Sequence, residues 1–211
     1  MLAGYENVPK FGKMSPMRLL PKNFIVHRLC PKVDPSAIAP IGKSRDGQIT
    51  HLARKETIET FQRMSDGAKK EGIRLHVIWA FRDPKLQREQ FEEAKLKHGP
   101  RNGIKWLAPP GFSEHQTGWV LDIGDWNDPD ADDNPLFERT QAFRWLKQNA
   151  SKFQFELSFP PGNWQGVSYE PWHWRFVGTP EARRAFHPQG FQALWVWGRS
   201  WIEAARWWFH P

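Results

Sequence analysis

The sequence predicts an α+β fold, a single domain with a small antiparallel or mixed sheet and flanking helices. Segments whose apolar residues recur at helical spacing interleave with segments that alternate, without a regular strand–helix–strand rhythm. No glycine-rich phosphate loop opens a helix. A length of 211 residues suits one domain with short appendages and can bury a sizeable core.

Residues 1–50 carry Pro9, Pro16, Pro21, Pro31, Pro35 and Pro40 among basic residues and show no sustained period. They predict an arm, either extended over the body or partly disordered. The body is expected over 51–187. Ile58, Phe61, Met64 and Ala68 keep helical spacing over 55–71, with Gly72 placed to end the helix. Over 75–81, Leu75, Val77, Trp79 and Phe81 alternate as in a strand buried on at least one face. Asp83 followed by Pro84 is an N-cap and first-turn pair, predicting a helix over 84–97 that Gly99 and Pro100 stop. Residues 99–112 read as a loop and 118–123 as a short strand. A helix over 136–150 precedes strands at 153–157 and 172–177.

The tail over 188–211 holds Trp195, Trp197, Trp201, Trp207 and Trp208, five of the thirteen tryptophans. Leu194, Trp197, Trp201, Ala204 and Trp208 share one helical face. The tail predicts a C-terminal helix docked on the core, or one that meets wall polymer or a membrane surface.

Composition narrows the chemistry. A single cysteine, Cys30, excludes an intramolecular disulfide and a cysteine-rich zinc cluster, so any metal site must draw on His, Asp or Glu. The net charge is +7, but residues 122–138 hold seven acids and no Lys or Arg. The rest of the chain, with 30 basic against 16 acidic residues, therefore carries +14. A basic body favours anionic partners without choosing among them. No nucleic-acid motif accompanies it. No run reaches the roughly 18–20 apolar residues of a membrane span, and Lys10, Lys13 and Arg18 interrupt any secretory apolar region. Asp128, Asp130 and Asp132 have the spacing of a calcium loop. The glycine and glutamate such a loop needs are Asp133 and Arg139 here, so a solvated loop is the expectation.

Two segments can carry catalysis: Ser113-Glu114-His115-Gln116-Thr117-Gly118-Trp119-Val120-Leu121-Asp122 and Glu170-Pro171-Trp172-His173-Trp174-Arg175. A catalytic zinc takes about three protein ligands and keeps one position open, and His115, Asp122 and His173 supply that set. Seven residues separate His115 from Asp122, which suits a loop ligand followed by one on the strand it enters. Glu170 and His173 would point oppositely in a regular strand, so Pro171 or a bend must bring them together. Glu170 is then free to take a proton from water.

These segments resemble the VanY-type D-alanyl-D-alanine carboxypeptidases of the LAS group of zinc peptidoglycan peptidases, over roughly 55–180. The resemblance implies His115, Asp122 and His173 as ligands of one Zn2+, Glu170 as catalytic base, and Arg82 as a group that contacts substrate and steadies the oxyanion. It places Ser113 and Gln87 as substrate-binding residues. Ser113 could instead cap the turn before His115, Gln87 could be a solvated helix residue, and Arg82 could pair with a nearby carboxylate. Around the arginine this chain reads Trp79-Ala80-Phe81-Arg82-Asp83 where the family often has Ser-Gly-Phe/Tyr-Arg-Ser. Gln116 and Trp119 stand where His and Tyr are frequent.

The resemblance implies removal of the terminal D-alanine from a peptidoglycan stem peptide, by a monomer acting in the periplasm or cell wall, with an anionic wall polymer as a further partner. L,D-carboxypeptidase action, lysin-type endopeptidase action and a catalytically idle wall-binding module stay open. No signal peptide is visible, so a cytoplasmic or holin-exported protein is also open.

Overall fold

The computed structural model describes residues 25–188 and Gly198. In chain order, a hairpin of β1 (Ile38–Lys43) and β2 (Thr50–Arg54) runs directly into α1 (Lys55–Lys70), followed by β3 (Leu75–Trp79), α2 (Pro84–His98) and α3 (Pro100–Trp106). Then come β4 (Val120–Asp125), α4 (Gln141–Asn149), β5 (Phe155–Leu157), β6 (His173–Phe176) and α5 (Pro180–Phe186). The central sheet has the order β3-β4-β6-β5 and every pairing in it is antiparallel. The α+β prediction holds, with an antiparallel rather than a mixed sheet.

Ile58, Phe61, Met64 and Ala68 bury one face of α1 in a core shared with Val120, Leu121, Ile123, Phe143 and Leu146. A smaller cluster of Ile25, Phe91, Ile104, Phe159 and Val167 joins α2, α3 and the arm. β4 lies between β3 and β6, and all six of its residues are buried. Asp122 is thus a carboxylate on a core strand and must be compensated by partners.

Several elements depart from the sequence expectation. Residues 99–112 are not all loop. Gly99 adopts φ 78, Pro100 occupies the first helical turn, and α3 follows. Gly103 lets α3 approach α2, since a Cβ there would stand 3.1 Å from the carbonyl carbon and oxygen of Ala94. The helix expected over 136–150 is two pieces, a 3-10 turn (Pro135–Arg139) and α4. Thr140 divides them, its hydroxyl accepting from Phe143 N to cap α4.

The described part of the arm, from Ile25, lies on the body. Val26 N donates to Gln165 O, Cys30 N to Gly111 O and Val33 N to Gln116 O, stitching an extended segment to the body's loops. Pro40 sits within β1, where a bulge accommodates it. Burial pushes the Cys30 thiol up to about 12, which makes it unreactive. The tryptophan-rich tail lies outside the described residues apart from Gly198, and among those described no helix is long and apolar enough to cross a membrane.

Candidate active site

Antiparallel register does the first work: Asp122 on β4 stands opposite Trp79 of β3 and His173 of β6. His115 lies on a 3-10 turn (Glu114–Thr117) that Gly118 ends at φ 73, a left-handed conformation suited to glycine. There a side chain would also press on Arg54 and Ile38. The turn feeds β4 and brings His115 over Asp122. Their ligand atoms, with one from His173, all lie within 4.8 Å of one another.

The ring nitrogens are assigned by their partners. His115 Nδ1 lies 2.7 Å from the Ala80 carbonyl, which can only accept, so Nδ1 carries the proton and Nε2 faces Asp122 Oδ2 at 3.2 Å. His173 Nε2 lies 3.2 Å from Glu114 Oε2, leaving Nδ1 toward Asp122 Oδ1 at 3.2 Å. Asp122 Oδ1 is buried and accepts no hydrogen bond. Two oriented imidazoles and a carboxylate with an unsatisfied oxygen form a donor set that could hold a metal ion, each ring being fixed by an outer partner.

Electrostatics agree. Burial pushes the Asp122 carboxyl upward, but His115 and then His173 outweigh it and hold the group far below the carboxylate range. His173 runs the other way: burial lowers it, yet the Asp122 and Glu114 carboxylates that face it push it up to about 10. His115 is lowered by burial.

Glu170 and His173 do meet, as the bend at Pro171 requires. His173 N donates to Glu170 O, and Glu170 Oε2 lies 3.3 Å from His173 Nδ1. Burial pushes Glu170 up to about 8, a value near which a carboxyl group both takes and returns a proton at neutral pH. Arg82, just beyond β3, is half-buried with its Nε shielded and unpartnered, and one of its terminal nitrogens donates to Gln87 Oε1 at 3.1 Å.

Gln87, expected at the substrate, is fully buried on α2 and does not line the cavity; its Nε2 donates to Ala108 O at 2.6 Å while its Oε1 accepts from Arg82. Ser113 precedes the His115 turn without capping it and lines the cavity.

Sequence reasoning passed over Glu114. Its fully buried carboxylate accepts from Arg175 at 2.9 Å and holds His173. Burial pushes it upward, but Arg175 and His173 together hold it well below the carboxylate range. The signal was present, for an acid directly precedes His115 and an arginine closes the second motif. From the arm, which the sequence left as either extended over the body or partly disordered, His27 and Arg28 line the same cavity, together with Trp106, Phe112, Phe159 and Trp172. The cavity holds about 270 Å³.

The sequence model of the VanY family, D-alanyl-D-alanine carboxypeptidase, matches residues 50–179. The putative carboxypeptidase YodJ of Bacillus subtilis is 35% identical over 133 residues, covering 62% of this chain and 48% of its own. The D-alanyl-D-alanine carboxypeptidase of Enterococcus faecalis is 29% identical over 164 residues, covering 70% and 59%. The chain thus spans about half the length of these relatives. Among solved structures, the LdcB LD-carboxypeptidase superposes with a TM-score of 0.65 at 30% identity, covering 74% of this chain and 78% of that one. The vancomycin resistance D,D-pentapeptidase VanY, as a mutant in complex with Zn(II), superposes at 0.55 with 25% identity, covering 79% and 93%. VanYB in complex with D-alanine-D-alanine superposes at 0.55 with 26% identity, covering 79% and 92%.

Proposed function

Because the chain belongs to the VanY family of D-alanyl-D-alanine carboxypeptidases over residues 50–179, we propose that it is a D,D-carboxypeptidase holding one Zn2+ and releasing the terminal D-alanine of a peptidoglycan stem peptide. The observation that carries the reading is the convergence of His115, Asp122 and His173 beside Glu170 and Arg82 in one cavity. Zinc at the three ligands would supply Lewis-acid polarisation of the scissile carbonyl and a more acidic water.

The chain's own residues do the rest. Arg82, held by Gln87, offers a planar fork to the substrate carboxylate or the developing oxyanion. Ser113 adds a hydroxyl to the same wall. Glu170 takes the proton of the attacking water and returns it to the leaving amine. Phe159 and Trp172 keep bulk water from this exchange. Glu114 and the Ala80 carbonyl fix the two imidazoles, so the ligand set needs little rearrangement. The basic body suits anionic wall polymer as a further partner.

The test is to strip metal, restore zinc, and follow free D-alanine from a pentapeptide ending in D-alanyl-D-alanine. Absence of release by the zinc-loaded protein refutes the assignment, and activity surviving Glu170→Ala refutes the base. The superposition on LdcB favours a second reading, L,D-carboxypeptidase action. A stem tetrapeptide in the same assay separates the two.

A further inference from the structure

Resting on the reading of this cavity as a peptidase site, we propose that Asp133 is a specificity residue that receives a primary ammonium group of the substrate peptide. Asp132 and Asp133 are neighbours in the acidic segment but serve different surfaces. Asp132 turns to the sheet, with Oδ2 2.8 Å from His76 Nε2 and 3.6 Å from an Arg45 guanidinium nitrogen. Gly124 of β4 makes room for this clamp, because a Cβ there would collide with both Asp132 and His76. With Asp132 fixed, Asp133 adopts φ 51, a left-handed conformation uncommon outside glycine. It thereby joins the wall of the catalytic cavity with Arg82, Glu170 and His173.

Four carboxylates line that cavity, and three are committed. Asp122 faces both imidazoles, Glu114 pairs with Arg175 and His173, and Glu170 lies against His173. Asp133 makes no hydrogen bond or ion pair with the described residues and is open to solvent. Partial desolvation and then the Asp122 charge push it up to about 6, which leaves it ionised at neutral pH. The Arg82 and Asp133 charges act on one another, so an entering peptide meets a cation for its carboxylate and an anion nearby. An anion on the cavity wall with no ion-pair partner among the described residues repels wholly anionic peptides and rewards a cationic group. A peptide offers that chemistry from two sources, its α-amine or the side chain of a diamino acid.

The probes are Lys-D-Ala-D-Ala with its α- and ε-amines each free or acetylated, four peptides in all. Calorimetry with zinc-loaded Glu170→Gln protein measures binding apart from turnover, and kcat/KM is measured on the zinc-loaded parent. The free peptide is expected to bind about tenfold more tightly than the diacetyl form, corresponding to one charge-assisted contact. Whichever single acetylation abolishes that gain identifies the amine. Asp133→Asn, which tolerates the same left-handed backbone, is expected to bring the ratio to about one. Equal binding of all four peptides, or a preference that survives Asp133→Asn, overturns the proposal. A preference in binding without any turnover by the parent refutes the carboxypeptidase reading while leaving the ammonium site standing. Failure to bind any of the four refutes both.

Discussion

Glu114 shows how much of the site depends on one residue outside the proposed ligand set. Its carboxylate faces Arg175 on one side and His173 Nε2 on the other, all three buried. Replacing it by glutamine keeps the volume, removes the charge that holds the His173 proton on Nε2, and leaves the Arg175 cation with Glu156 as its remaining acidic partner. Zinc affinity of Glu114→Gln, measured by competition with a chromophoric chelator, is expected to fall about 10–100-fold, the usual effect of losing an outer partner of a metal-bound histidine. A resting affinity equal to the parent's would show that the Asp122 carboxylate alone orients the ring. The roles proposed for His115, Asp122, His173 and Glu170 rest on residue type and spacing. Glu114 and Arg175 both stand beside these motifs in the sequence, but their pairing, sixty-one residues apart, is visible only in the fold.

At the level of elements, α3 and the arm decide the shape of the cavity, and each supports the other. His27 Nε2 donates to Ile104 O of α3 at 2.6 Å, while Gly103 lets that helix lie against α2. A Gly103→Ala methyl would meet backbone atoms of Ala94 and Lys95, which cannot rotate away. The substitution is expected to cost about 1–3 kcal/mol in urea unfolding, as overpacking does.

Burial moves the His27 pKa from 6.5 to about 4, only partly offset by the Ile104 carbonyl. Because the folded value is depressed, the unfolded chain binds the proton first as acid is added. The associated stability is present above pH 6.5 and is lost as pH falls toward 4. Relative to His27→Gln, which keeps a donor but cannot titrate, the parent is expected to lose about 3 kcal/mol over that window. Equal slopes for the two proteins in urea titrations at pH 7 and pH 4 would exclude this. The sequence did not reveal α3, and it left the arm open between docking on the body and disorder. The Gly-Pro pair that reads as a stop is also a start, and an extended arm has no periodicity for a pattern to reveal.

For the whole molecule, the proposed zinc site would couple metal binding to folding. The three ligands come from a turn, a central strand and the start of another strand, so the unfolded chain offers no assembled site. Zinc at 100 times its dissociation constant is expected to add about 2.7 kcal/mol to the stability of the stripped protein, seen as a higher thermal midpoint that His115→Ala abolishes. A midpoint unmoved by zinc would refute the site.

By itself the sequence determined the α+β class, most of the central strands and helices, and the residues able to ligate a metal, because these follow from local periodicity and from the short list of side chains that bind zinc. Only the tertiary structure decided that Gln87 stands behind Arg82 rather than in the cavity, that Glu114 holds His173, that the arm walls the site, and that Asp133 faces inward while Asp132 faces the sheet. Those facts depend on which distant residues become neighbours, and strand register and close glycine contacts set that only once the whole chain has packed.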